Sequence, residues 1–392
     1  MNLQPPVYVR QQSQLTELLE RLGASPRVAF DTEFVGEGNY EPILCLVQLA
    51  TDEDLWIVDP LERLDLAPLW KLLTDPNREL VVLAAREEVR FCMRYGGRAP
   101  GKLSDVQILA GLVGHGYPLS HTNLVKKVLN VRVEAGETFT DWRRRPLSAK
   151  QVEYAADDVR HLLAARDSLY AEAVELGREA WISGECGAYV QRVERAQAEE
   201  RWNRMPGSTS LARRELGVLR EVWRWREDEA QRMDLPPRRV LRDELLVEIA
   251  KRRPATVADL HALRGMDRGA VRDSGPRIVA AVATGMALPD ADLPIKLRRD
   301  DPPQLMVLAQ ILSVVSNGLA AGNRVDPQLL ATASDLQDVV RWRLSSAPGS
   351  GEPVAFQGWR GEILREPLLG ILEGRRTLKI GDLRSPNPLV LE

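Results

Sequence analysis

Leu15, Leu18, Leu19 and Leu22 recur at helical spacing and the pattern stops at Gly23, so the chain is expected to open on an amphipathic helix capped by Ser13. The period then changes. Residues 27–34, 43–49 and 55–58 are short apolar runs separated by polar turns at 36–39 and 51–54, which predicts three strands in succession. A helix over 64–73, a buried strand over 80–85 and a helix over 86–95 come next, and helical spacing dominates from there. Strands in series followed by alternating strand and helix imply an α/β architecture, a mixed sheet covered by helices.

The most sharply delimited helix starts at Ser148. Pro146 precedes it, and Ser148 with Gln151 spells a capping box, in which each side chain accepts from the other residue's backbone N–H. The cap fixes the helical phase: Tyr154 and Asp158, four residues apart, share one face. Helical spacing continues to about residue 200 and breaks over 203–210, a stretch of Pro, Gly and Ser that marks a domain boundary. It returns over 211–284, lapses in the Pro- and Asp-rich segment 288–303, and resumes at Leu305. Two short strands are expected near the end, over 377–380 and 389–391. The expected organisation is an α/β domain over 1–202, a small all-α domain over 209–286 and a second over 303–392.

Composition narrows the function classes. With 392 residues and 44% apolar content, the chain can bury several cores. A net charge of −3 excludes a protein that is basic throughout, yet residues 201–280 hold 18 Lys and Arg against 12 Asp and Glu, so any basic surface is local. Cys45, Cys92 and Cys186 lie far apart without C-x-x-C spacing and read as buried small hydrophobes of a reducing compartment. The first residues lack a basic segment followed by an apolar one, and no run of about 18 apolar residues is evident, so a cytoplasmic monomer without a membrane partner is expected.

Candidate chemistry begins at the end of the first predicted strand. Asp31 and Glu33 project to the same side, where they repel unless a positive charge sits between them, and a divalent cation is the natural candidate. A solvated strand end is the plainer alternative. Metal-assisted phosphoryl hydrolysis needs several anionic oxygens to hold cations about 3.5–4 Å apart, and Mg²⁺ suits carboxylate and phosphate oxygens. A tyrosine near the attacking water can orient it. The parts required are a strand D-x-E, an acidic residue from a middle segment, and a late helix with Tyr and Asp on one face.

On these strings the chain resembles the tyrosine-type DEDD 3′→5′ exonucleases, and within them the ribonuclease D family. Asp31-Thr32-Glu33-Phe34, then Leu44 to Ala50 with Gln48, and Tyr154-Ala155-Ala156-Asp157-Asp158 preceded by Thr140-Asp141-Trp142 and Arg145-Pro146-Leu147-Ser148, carry the likeness. Residues 211–284, with Leu235-Pro236 and Arg239 to Glu244, look like the helicase-and-ribonuclease-D C-terminal (HRDC) domain, and the last unit looks like a more divergent copy. The resemblance implies a ribonuclease H-like exonuclease domain followed by two HRDC-type domains. It implies a hydrolytic 3′→5′ exoribonuclease using two divalent ions, Mg²⁺ or Mn²⁺, on RNA with a single-stranded 3′ end, tRNA precursors being the expected substrate. Asp31, Glu33 and Asp158 would hold one ion, Asp31 would share the second, and Tyr154 would orient the water.

The middle motif departs from the family pattern. Where relatives read approximately H-A-A-x-x-D, this chain has Leu83-Ala84-Ala85-Arg86-Glu87-Glu88, which puts Glu88, one methylene longer, at the place of the second-ion aspartate. Either Glu88 binds after a small helix shift, or the ion is weakly held and the protein binds nucleic acid with impaired catalysis. The same chemistry acting on DNA is a further alternative. Asp105 falls where the family has an F-D-T-Q string beside the site, with a helix N-terminal charge as the other reading. For substrate contacts, Phe34 offers a stacking surface or a core residue. Gln48 completes its motif. Arg143 offers a phosphate ligand or a solvated charge, and Arg238, Arg239 and Arg242 a track for the RNA backbone.

Overall fold

The computed structural model describes residues 5–133, 140–266, 268–295, 301–345, 351–385 and 387–392. It gathers the chain into two compact units, one of residues 1–33, 44–196 and 300–392, the other of residues 34–43 and 197–299.

The first unit is built on a six-stranded sheet. Its strands are β1 (Val7–Val9), β2 (Arg27–Val35), β3 (Ile43–Ala50), β4 (Leu55–Val58), β5 (Glu79–Val82) and β6 (Lys102–Asp105), in the spatial order β1-β4-β3-β2-β5-β6. The sheet is mixed: β3 and β4 run antiparallel, whereas β1 with β4, β2 with β5, and β5 with β6 run parallel. β1 and β6 escape the sequence pattern because one is three residues long beside a proline pair and the other, Lys-Leu-Ser-Asp, has one apolar residue. β2 and β5 pair over Arg27 to Ala29, so Asp31, Thr32 and Glu33 run on beyond the end of β5. A long strand outrunning its neighbour leaves its last side chains open to the turn and helix into which that neighbour leads.

Helices α1 (Gln12–Ala24), α2 (Ala67–Leu73), α3 (Arg86–Gly96), α4 (Val106–Leu112), α5 (His121–Leu129), α6 (Ala149–Arg160), α7 (Leu162–Glu175) and α8 (Glu179–Ala198) complete the nuclease-like part. α1 starts at Gln11 rather than Ser13, because the Gln14 side-chain oxygen accepts from the N–H groups of Arg10 and Gln11 at 2.9 and 3.0 Å. α6 keeps its expected capping box: Gln151 N donates to Ser148 Oγ at 3.2 Å, and Ser148 N to Gln151 Oε1 at 2.9 Å.

The second unit contains α9 (Arg213–Met233), α10 (Pro237–Val240), α11 (Asp243–Arg252), α12 (Val257–His261) and α13 (Arg268–Ala287). Their core holds Leu216, Leu219, Val222, Leu246, Ile249 and Ile278. α13 and α9 approach so closely that a Cβ on Gly285 would meet the Val218 backbone at 2.5 Å.

The C-terminal segment, counted with the first unit, repeats part of that order: α14 (Leu305–Gly322), the single turn α15 (Pro327–Leu330), α16 (Ala333–Leu344) and α17 (Gly358–Leu372). The expected strands come last, as an antiparallel pair, β7 (Leu378–Ile380) and β8 (Leu389–Leu391). α14 is a helix of 18 residues with mean hydropathy 1.7, long and apolar enough by length and composition alone to cross a membrane. Gln310, Ser313, Ser316 and Asn317 interrupt it, so it is not an unbroken apolar run. Leu305, Ala309, Leu312 and Val315 are buried in the helical module. Part of the expected break at 288–303, residues 296–300, lies outside the described residues.

Candidate active site

β2 ends in the D-T-E string, and its pleat sends Thr32 to the opposite side from Asp31 and Glu33. β5 stops at Val82, and the chain turns through Leu83-Ala84-Ala85 into α3, whose first turn carries Glu88. Glu88 is therefore not an exposed helix charge but 95% buried, and its Oε1 accepts a 2.8 Å hydrogen bond from the Thr32 hydroxyl. The Asp31 charge acts on the same carboxyl. α6 contributes Tyr154 and Asp158 from one face, and Trp142 lies over Tyr154 with ring centroids 6.0 Å apart.

Electrostatics tie the five together. The Glu33 carboxyl is pushed up to about 8 by burial and then by Asp31. Asp158 is raised by burial and by Asp31, Glu33 and Asp157, and Glu88 well above the carboxylate range by burial and Asp31. Asp31 is raised by burial, against the pull of the Thr32 N–H and of Glu88. The Tyr154 hydroxyl is raised by burial and by Asp158, Glu33 and Asp31, so it remains a neutral phenol able to donate. No Lys or Arg figures among the groups shifting these carboxylates, among the described residues.

Four crowded carboxyls whose negative forms are disfavoured for want of a counter-charge, offering only oxygen donors, fit hard divalent cations. Asp31, Glu33, Glu88 and Asp158 are the groups that could hold them. Among the described residues no three His, Cys, Asp or Glu side chains already stand in positions that could hold a metal ion.

Other expected residues lie elsewhere. Gln48 is fully buried in β3, opposite Ile57 of β4, with neither amide atom hydrogen-bonded, so a substrate contact there is corrected to a core position. Asp105, 98% buried, turns its carboxylate to backbone: Oδ1 accepts from Ala84 N at 3.2 Å and Gln107 N at 2.9 Å, and Oδ2 from Ala85 N at 3.0 Å. It caps α4 as a helix N-terminal acid and also clasps the turn before α3, so it faces no substrate. Arg143 is paired with Asp141 at 2.8 Å on the surface. Phe34, Arg238, Arg239 and Arg242 fall in the second unit, where Phe34 is half-buried and Arg238 is bound to Asp243 at 2.6 Å.

One neighbour has no counterpart among the expected residues. His121, the first residue of α5, places Nδ1 4.0 Å from Asp158 Oδ1, and its buried Nε2 has no hydrogen-bond partner. Burial and His161 push its imidazole down to about 4, so it adds no positive charge to the carboxylate cluster at neutral pH. A lone histidine at a helix start has no spacing that ties it to a site.

Comparison with known proteins matches residues 6–173 to the 3′–5′ exonuclease family and residues 215–282 to the HRDC domain. The fold and site thus define a 3′→5′ exonuclease that carries an HRDC domain. Ribonuclease D of Gluconacetobacter diazotrophicus is 38% identical over 383 residues, 97% of this chain and 96% of that protein. Ribonuclease D of Escherichia coli K12 is 30% identical over 362 residues, covering 92% and 96%. The crystal structure of Escherichia coli RNase D, described as an exoribonuclease involved in structured RNA processing, superposes with a TM-score of 0.82 at 29% identity, covering 95% of this chain and 99% of that one. The chain belongs to the ribonuclease D family of hydrolytic 3′→5′ exoribonucleases, and its exonuclease fold implies dependence on divalent metal.

Proposed function

We propose that the protein removes nucleotides one at a time from the single-stranded 3′ end of structured RNA, tRNA precursors among them, as a cytoplasmic monomer. The observation that carries this reading is the meeting of four carboxyls from three elements with a neutral tyrosine, none of the carboxyls shifted by a Lys or Arg among the described residues. Asp31, Glu33, Glu88 and Asp158 would hold two ions, Mg²⁺ or Mn²⁺, which when bound supply charge stabilisation at the phosphate and a more acidic water. Tyr154 orients the attacking water by its hydroxyl while Trp142 fixes the ring. Partial burial strengthens each of these interactions. In the second unit, Arg242, Arg252 and Arg264 line a cleft of about 620 Å³ together with Glu244 and Glu248, Arg252 being paired with Glu248 at 2.8 Å, so Arg242 and Arg264 are its candidate contacts for the RNA backbone.

The test is degradation of a 3′-extended tRNA and of single-stranded DNA, in Mg²⁺ and then Mn²⁺, by wild type, Asp31→Ala and Glu88→Asp. Metal-dependent shortening of the RNA, abolished by Asp31→Ala, is expected. An inert wild type with an active Glu88→Asp would establish a binding protein impaired by its longer side chain, and preference for the DNA would overturn the substrate assignment.

A further inference from the structure

Glu88 is one methylene longer than the aspartate expected at its place, yet its carboxyl and that of Asp31 act on each other. Two fixed contacts account for this, one on each side of it. On the side of β2, Thr32 lies 94% buried between the two acids of the D-T-E string, and its hydroxyl donates to Glu88 Oε1 at 2.8 Å. One carboxyl oxygen is thereby held, which leaves the group a single orientation in which to meet Asp31.

On the side of α3, the turn feeding the helix is held by Asp105. Ala84 has φ of 62°, a left-handed conformation that is strained for a non-glycine residue and persists only where its surroundings enforce it. The enforcement is visible: the Asp105 carboxylate takes the N–H groups of Ala84 and Ala85 together, at 3.2 and 3.0 Å. Its other contact, Gln107 N at 2.9 Å, anchors it to the start of α4. Asp105 thus sets where α3 begins, and α3 sets where Glu88 stands.

We infer that Thr32 and Asp105 are positioning residues that together aim Glu88 at Asp31 and make it a ligand for the second divalent cation. The inference rests on the proposed metal role of Glu88. Groups behind metal ligands commonly matter by about 10–100-fold in affinity, because they fix ligand orientation in advance.

The experiment counts Mn²⁺ ions bound to the full chain by calorimetry and by electron paramagnetic resonance, without substrate, for wild type, Glu88→Ala, Asp105→Asn, Thr32→Val and Thr32→Ser. Wild type is expected to take two ions and Glu88→Ala one. Asp105→Asn and Thr32→Val should weaken the second ion about 10–100-fold and leave the first unchanged, and Thr32→Ser, which keeps the hydroxyl, should restore it. Thr32→Val preserves shape in a strand, so it carries the test should Asp105→Asn fail to fold. Two ions in wild type, one in Glu88→Ala and two unweakened ions in Thr32→Val would overturn the positioning role alone. A single ion in wild type, unaffected by Glu88→Ala, would overturn the metal role of Glu88 and the positioning role with it.

Discussion

Arg145 and Asp59 are joined fork to fork: Nε donates to Oδ2 at 2.5 Å and Nη2 to Oδ1 at 2.7 Å, with Asp59 wholly buried. The same guanidinium donates to the carbonyls of Trp142 at 2.7 Å and Cys45 at 3.0 Å, and the Tyr8 hydroxyl adds a 2.5 Å bond to Asp59. Arg145 is therefore occupied in tying the segment before α6 to the sheet and is not available to a phosphate. Removing it strands a buried carboxylate. Arg145→Ala should cost about 3 kcal/mol in urea unfolding, and Arg145→Lys should recover little of that, since an ammonium cannot reproduce the fork.

The same pair fixes a pH dependence. Burial alone would raise Asp59, but the hydrogen bonds from Arg145 and Tyr8 outweigh it and hold the carboxyl below its ordinary value. A depressed carboxyl contributes stability that is present above its unfolded pKa of about 3.9 and is lost as pH falls through the lower folded value. The stability gap between wild type and Asp59→Asn should be full at about pH 6 and narrow below about pH 4. Urea titrations at stepped pH measure it, and a gap unchanged down to about pH 3 would contradict the assignment.

Tyr154→Phe keeps the ring against Trp142 and deletes only the hydroxyl. Turnover of the RNA substrate should fall about 100-fold or more while the number and affinity of bound Mn²⁺ ions stay the same. Loss of metal binding together with activity would assign the hydroxyl a different task.

Asp158 is raised by burial and by Asp31, Glu33 and Asp157, and its neighbour His121 is uncharged at neutral pH, so its charge serves metal at the expense of the metal-free fold. Asp158→Asn should abolish hydrolysis and raise the melting temperature in EDTA by about 2–5 °C, the stability gained by relieving repulsion. In excess Mg²⁺ the order should reverse. Calorimetric scans of both proteins with and without metal decide the matter.

How far the sequence discloses this molecule depends on the range of each signal. Asp31 with Glu33 and Tyr154 with Asp158 are legible because each pair is set by a local period, two in a strand and 3.6 in a helix, and the Ser148 cap gives the phase. β1 and β6 carry too few residues to show a period and exist because the sheet pairs them. The burial of Glu88 depends on β5 ending before β2 does, a relation between strands about 50 residues apart that no local pattern records. Asp105 stands out in the sequence but not with its true partners, which are backbone N–H groups 20 residues upstream. Thr32 goes unnoticed because alternation points it away from the acids, and His121 because a single imidazole has no periodic companion.

The C-terminal module is fastened to the first unit by buried polar locks as well as apolar contacts. Glu185, 99% buried, receives Arg360 at 2.6 Å and Arg192 at 3.1 Å. Asp326 N donates to Gly111 O at 2.9 Å, at a glycine whose Cβ would strike Leu329 at 2.5 Å. A protein shortened to end near residue 299 would thus not simply lose an appendage. It would uncover the bare backbone of Gly111 and leave Glu185 without Arg360, on helices packed behind the catalytic sheet. The module that begins at α14 behaves as the keystone of the first unit.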